Sequence, residues 1–226
     1  MMTESRPSPP DVSVIVPARG GEVLLARCLQ ALGEQRSFQG RYEVIVVDDG
    51  SQQPLASIVE AHGARCIRQE PLGPAAARNH GARAAQGEIL AFTDSDCAPV
   101  ETWLSKLTAP FSDSGVVGVK GTYASEQAGW VPRFVQQEYE AKYRRMLGQD
   151  HIDFVDTYSA AYRRSIFLEN DGFDTAFLVP SVEDQELSFR LARKGYRMVF
   201  APDAVVEHIH DATPGEYVQR KFNIGY

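Results

Sequence analysis

Residues 73–97 read GPAAARNHGARAAQGEILAFTDSDC. Gly73-Pro74 opens a helix, since proline is favoured at a first helical position, and the alanine-rich run Ala75–Ala85 continues it. Ile89–Thr93 is then an apolar strand that ends on Asp94-Ser95-Asp96. Carboxylates at i and i+2 leave a strand on the same side, with Cα atoms about 6.5 Å apart. Such oxygen ligands bind hard divalent cations, and a pair that leaves coordination positions open can hold a diphosphate through the metal.

The same alternation extends towards the N-terminus. Val12–Val16 reads as a buried strand closed by Pro17, and Glu22–Gln35 has apolar residues at near-helical spacing. Tyr42–Val47 is a second strand, ending in Asp48-Asp49-Gly50-Ser51. A helix around Pro54–Ala61 and a short strand at Ala64–Arg68 follow. Repeated β-α-β units with continuous Val/Ile strands predict a mainly parallel sheet with helices on both faces. Ligands then bind beyond the carboxyl ends of the strands, where both acidic clusters fall.

After Pro99 the pattern changes. Helices are expected at Val100–Ala109, Val131–Leu147 and Glu183–Lys194. Strands are expected at Val116–Val119, Gly121–Ala124, Phe154–Tyr162, Arg197–Phe200 and Ala204–His208. With no repeat or linker composition, the reading is one continuous α/β domain over residues 11–226. It has a nucleotide-binding half at 11–99 and an acceptor half at 100–226, and residues 1–10 form a disordered tail.

Composition narrows the classes. The net charge of −7 argues against nucleic acid as a partner, for which a basic surface is the usual footprint. Three widely spaced cysteines, Cys28, Cys66 and Cys97, form no disulfide framework or zinc motif and suit a reducing cytoplasmic setting. No stretch approaches the roughly 20 apolar residues that span a bilayer, which leaves peripheral association with the inner membrane face. The polar start lacks a signal-peptide core. The chain stops inside a helix-like segment, Thr213–Tyr226, which fits a natural terminus and a chain cut before a further module equally well.

Four elements line up in order: VSVIVPARG at 12–20, EVIVVDDGS at 43–51, the stretch at 73–97, and EDQELSFRLARKGY at 183–196. Together they resemble the family 2 glycosyltransferases, which have the Rossmann-like GT-A fold with a mixed sheet, and the resemblance covers nearly everything from Asp11 onward. It implies inverting transfer from a nucleotide-diphosphate sugar, by default a UDP-sugar, to a hydroxyl of a glycan or lipid-linked acceptor. Mn²⁺ or Mg²⁺ is the implied cofactor.

The resemblance also implies site residues. Pro17 and Ser95 lie in the donor pocket, and Asp48 or Asp49 reads the base, accepting from a uracil imide N–H. Asp49-Gly50-Ser51 equally fits a plain turn. Arg78 reaches the base or phosphates. Asp94 contacts ribose or metal, Asp96 ligates the metal directly, and His208 completes the metal site, with His210 as the alternative. Asp184 is the general base, facing an attacking hydroxyl, and Glu183 supports the acceptor side. Acids there also suit a helix start capped by Ser181. Ser159 stands where relatives often carry an asparagine facing the donor sugar, which leaves sugar specificity open. The Q-x-x-R-W motif of processive synthases is absent apart from a faint echo at Val218–Phe222. Two rivals remain: a phosphatase-type hydrolase, whose D-x-D normally follows the first strand, and a non-catalytic nucleotide-sugar-binding module.

Overall fold

The computed structural model describes residues 8–177, 182–210 and 212–225. The elements run β1 (Val12–Ala18), α1 (Glu22–Gly33), β2 (Tyr42–Asp49), α2 (Ala56–Ala61), β3 (Arg65–Gln69), α3 (Pro74–Ala84) and β4 (Ile89–Phe92). Then come β5 (Cys97–Pro99), α4 (Trp103–Thr108), β6 (Val116–Ala124), α5 (Trp130–Met146), β7 (Ala160–Arg163) and α6 (Arg164–Glu169). The chain closes with α7 (Glu183–Arg193), β8 (Arg197–His208) and α8 (Pro214–Gly225). The sheet order is β3-β2-β1-β4-β7-β6-β8-β5. The pairs β1–β2, β1–β4, β2–β3 and β6–β8 are parallel, whereas β7 and β5 run antiparallel to their neighbours.

Period-2 side-chain alternation gives the sheet two cores. Val12, Val14 and Val16 of β1 face Leu25, Cys28, Leu29 and Leu32 of α1, with Trp103, Leu104 and Leu107 of α4 in the same cluster. Ile15, Ile45 and Val47 point the other way, into Ala75, Ala77 and Ala82 of α3, Phe167 of α6, and Leu187 and Leu191 of α7. Each such large aliphatic side chain contributes about 1.5–3 kcal/mol when fully buried. The expectation of helices on both faces holds.

The small residues of α3 bring it very close to the sheet. A Cβ on Gly81 would lie 2.5 Å from the Ile15 Cγ2 atom, closer than packed carbon atoms approach. This close seat carries Arg78, three residues earlier and buried at 4% exposure, to the carboxyl ends of the strands.

Several expected elements change. Pro17 does not close β1, which runs on to Ala18 against β2. The β4 pairing ends at Ile15, so the missing N–H of Pro17 breaks no ladder on that side. Val116–Val119 and Gly121–Ala124 are one strand, as are Arg197–Phe200 and Ala204–His208. The β6–β8 register shifts between Lys120 and Thr122, and such an irregularity accommodates Pro202 inside β8. The expected strand at 154–162 shrinks to Ala160–Arg163 behind a 3-10 turn at Thr157–Ser159. Its partner β4 offers only Ile89–Phe92 to pair with. The helix expected from Val100 starts at Trp103, after a turn at Glu101-Thr102 that follows β5, and neither β5 nor α6 was foreseen.

Candidate functional site

The site forms at the carboxyl edge of β4, where Asp94 and Asp96 leave the sheet. Three-residue β5 turns the chain back antiparallel to the end of β8, with Cys97 opposite His208. That pairing sets the His208 Nε2 atom 3.4 Å from the Asp96 Oδ2 atom. The Cys97 thiol donates to Asp96 Oδ1 at 3.7 Å, and ligand atoms of Asp94, Asp96 and Cys97 all lie within 4.8 Å of one another. Burial pushes the Asp96 carboxyl up, but the His208 and Cys97 contacts outweigh it and hold its pKa below the ordinary value. Burial pushes the Cys97 thiol well above its ordinary value, and the carboxylates of Asp94 and Asp96 add to it.

The pair His208 and His210 separates by role. His210 is buried, its Nε2 faces Gln136 Oε1 at 3.0 Å and its ring stacks on Tyr139. Its Nδ1 lies 3.4 Å from the Nδ1 of His208. With His210 Nε2–H donating to the amide oxygen, its Nδ1 faces the His208 Nδ1 atom, which orients the His208 ring with its Nε2 towards Asp96. This tautomer is inferred from the hydrogen-bond network, and it is the outer-shell arrangement that orients metal-ligating imidazoles.

Arg78 joins this edge to α7. Its Nη2 donates to Asp94 Oδ1 at 2.7 Å and its Nη1 to Glu183 Oε1 at 2.9 Å. Burial opposes the charge, yet Asp94, Glu183 and Asp184 together raise its pKa. Its buried Nε has no hydrogen-bond partner among the described residues. Glu183, 3% exposed, therefore faces Arg78; the sequence had assigned it to the acceptor side. Ser181, the expected helix cap, lies outside the described residues.

Asp184, the next residue, has its pKa pushed up to about 6, chiefly by burial and next by the neighbouring Glu183 charge, against the opposing fields of Arg78 and Lys120. One oxygen accepts the Gln185 N–H at 2.8 Å. Ser188, one turn on, donates to the Asp184 carbonyl at 2.7 Å and accepts the Val155 N–H at 3.0 Å. The first turn of α7 is thus tied to the segment preceding β7.

The other acidic cluster is arranged differently. Asp48 accepts from the Ser51 and Leu55 N–H groups and pairs with Arg68 at 2.6 Å. Asp49 accepts from Gln69 and from the N–H groups of Leu72 and Gly73. A carboxylate offers about four acceptor positions, so Asp49, at 5% exposure, has about one left, whereas Asp48, at 1% exposure and also hydrogen-bonded by the Ser51 side chain, has its positions filled. Pro17 and Ser95 are half-buried, with no side-chain hydrogen bond described for Ser95.

Ser159 is a correction. It is fully buried, accepts from Trp103 Nε1 at 2.9 Å and donates to the Ala204 carbonyl at 3.1 Å. A Cβ on Gly121 would come within 2.0 Å of its oxygen, so Ser159 fills a tight internal seam and faces no sugar site.

Sequence reasoning missed Lys120. It is 1% exposed, pairs with Asp156 and donates to the Tyr158 hydroxyl at 3.1 Å. Burial pulls its pKa well below the ordinary lysine value. A lysine inside the apolar strand Val116–Val119 to Ala124 was the available signal, because an interior lysine requires a partner.

The arrangement can hold a divalent cation. Two carboxylates and a neutral imidazole suit Mn²⁺, and oxygen ligands suit Mg²⁺. Asp94 keeps its Oδ2 free of Arg78, while Asp96 remains 46% exposed at its side chain. No helix among the described residues is long and apolar enough to cross a membrane.

The chain is 34% identical over 230 residues to the pre-mycofactocin glycosyltransferase of Mycobacterium tuberculosis, covering 96% of this chain and 46% of the relative. It is 28% identical to the glycosyltransferase AglE of Haloferax volcanii, covering 96% of this chain and 72% of that one. The chain thus spans about half the length of the mycobacterial relative. Among solved structures, the mannosyltransferase PcManGT of Pyrobaculum calidifontis, in complex with GDP-Man and Mn²⁺, superposes with a TM-score of 0.74. It shares 25% identity, and the match covers 94% of this chain and 60% of that one. Staphylococcus aureus TarS 1–349, at 22% identity and a TM-score of 0.68, shares the fold, with 88% of this chain and 60% of that chain covered. The Glycosyl transferase family 2 profile matches residues 13–170, more than half of the 226 residues, so the chain, with its GT-A fold, belongs to glycosyl transferase family 2.

Proposed function

We propose that the protein is a metal-dependent, inverting glycosyltransferase that moves a sugar from a nucleotide-diphosphate donor to a hydroxyl of a glycan or lipid-linked acceptor. The observation that carries this reading is the convergence of Asp94, Asp96 and His208 on one side of Arg78 and of Glu183-Asp184 on the other. Asp96 is the chief metal ligand, with Asp94 Oδ2 and His208 Nε2 beside it. A bound Mn²⁺ or Mg²⁺ would supply Lewis-acid neutralisation of the departing diphosphate. Asp184 accepts the proton of the attacking hydroxyl, and a pKa near 6 keeps it ionised at neutral pH yet basic enough to take a proton. Arg78, fixed by Glu183, holds Asp94 in place.

A UDP-sugar is the default donor, read by Asp48 or Asp49, of which Asp49 keeps about one acceptor position. The GDP-Man in the PcManGT structure favours a second reading, a GDP-sugar donor. Pro17 and Ser95 line the donor side. The protein acts in the cytoplasm, with peripheral contact to the inner membrane face when the acceptor is lipid-linked. Mn²⁺-dependent hydrolysis of a panel of UDP- and GDP-sugars tests the proposal. Turnover of one donor that stops with a chelator supports it. Nucleotide binding with no turnover of any donor points instead to a binding module.

A further inference from the structure

Lys120 sits in the middle of β6 and is one of the largest fully buried side chains of the molecule. A lysine loses strong hydration on burial, so a protein that keeps one inside must surround it with compensating groups. Asp156 forms its ion pair, and the Tyr158 hydroxyl accepts from it. The rings of Tyr158, Phe154 and Tyr143 lie 4.8, 5.2 and 5.8 Å from its Nζ atom, within reach of cation–π attraction.

Two connections run outward from this cage. Tyr158 stacks on Tyr123 at 3.5 Å between ring centroids, and Tyr123 in turn lies 4.6 Å from the ring of His208. On the other side, Asp156 adjoins Val155, whose N–H donates to Ser188, and Ser188 holds the Asp184 carbonyl. One buried cation therefore secures both the segment 154–158 and the first turn of α7, which carries Asp184. Replacing a buried ion pair by apolar groups is often neutral or stabilising, so stability alone gives little reason for this pair.

We propose that Lys120, through its pair with Asp156, is a positioning residue that holds the first turn of α7, and with it Asp184, against the sheet. The inference rests on the reading of Asp184 as the base. The groups that act on Asp184 are Glu183 of α7, Arg78 of α3 and Lys120 of β6, with the Tyr162 hydroxyl of β7 also coupled to it. Lys142 of α5 acts in turn on Lys120. Among the charges acting on Asp184, Lys120 and Arg78 favour its carboxylate, and Glu183 opposes it.

The test uses Lys120→Met and the double variant Lys120→Met/Asp156→Asn, both assayed by pH-dependent donor hydrolysis and by amide exchange. Losing the cation alone leaves the Asp156 charge uncompensated, and the acid limb of kcat/KM moves up by about half a pH unit or more. Removing both charges returns the limb towards the wild-type position. Exchange at the Val155 amide quickens about tenfold in the single variant, while Mn²⁺-dependent nucleotide binding stays unchanged. The double variant leaves no buried charge alone, so it retains a folded protein if the single variant does not. An unmoved acid limb and unmoved Val155 exchange, with a lowered melting temperature only, would overturn the proposal and make Lys120 a packing residue. Full turnover by Asp184→Asn would instead remove the base reading and leave the exchange result for Lys120 standing.

Discussion

The two acidic clusters at the carboxyl edge of the sheet are built from the same residue type and use it in opposite ways. Asp48 and Asp49 spend their oxygens on the N–H groups of Ser51, Leu55, Leu72 and Gly73 and on Arg68 and Gln69. They hold the loops after β2 and β3 in shape. Asp94 and Asp96 are more exposed and keep lone pairs unused, with an imidazole and a guanidinium set beside them. The number of acceptor positions left open, more than the charge itself, separates a structural carboxylate from one available to a cation.

The largest effect expected from perturbing this contrast is at Asp184. Asp184→Asn lowers donor hydrolysis by about 10²–10⁴-fold, the usual worth of a general base, while calorimetry shows nucleotide binding retained. The same variant is more stable than the wild type at pH 8. The folded carboxyl is raised to about 6, so the stability this group contributes is present below its ordinary pKa of about 4 and lost as pH rises through about 6. The melting-temperature gap therefore closes as the pH is lowered from 8 to 4. An asparagine variant with wild-type turnover removes the assignment.

Arg78→Met comes next. It strands Asp94 and Glu183 without their shared cation, and losing one partner of a buried ion pair costs about 3–5 kcal/mol. Urea unfolding measures it, and a loss under about 1 kcal/mol would class the pair with exposed salt bridges. Hydrolysis by the wild type falls about tenfold per pH unit below about 6, following the Asp184 carboxyl; a flat profile down to pH 5 contradicts that coupling. The smallest effect separates the histidines. His208→Ala weakens Mn²⁺ binding directly, and His210→Ala weakens it less, by the roughly 10–100-fold range of groups that orient a ligand. Equal losses would erase the distinction drawn from Gln136 and Tyr139.

Much of this was readable from residue order. Val/Ile strands such as Val12–Val16 and Tyr42–Val47 are continuous because both faces are covered, and continuous apolar runs are what parallel strands require. The alanine-rich run Ala75–Ala85 likewise marked α3 as a helix. The acceptor side was harder. β5 is three residues long and exists only because β8 pairs with it, so no local pattern marks it, yet it brings His208 to Asp96. Lys120 and Asp156 lie far apart in sequence, and only folding brings them together. Ser159 was misassigned because its partners, Trp103 and Ala204, come from distant elements. Local periodicity reports which side of a strand is buried; it does not report which oxygens are already satisfied.

The contrast between the clusters is tested most directly by Mn²⁺ electron paramagnetic resonance in the presence of a nucleoside diphosphate, comparing Asp96→Asn with Asp48→Asn. The account predicts that Asp96→Asn loses bound Mn²⁺ with little change in melting temperature. Asp48→Asn should keep the signal and lose stability through its Ser51, Leu55 and Arg68 contacts. Bound Mn²⁺ retained by Asp96→Asn, or abolished in a folded Asp48→Asn, would contradict it.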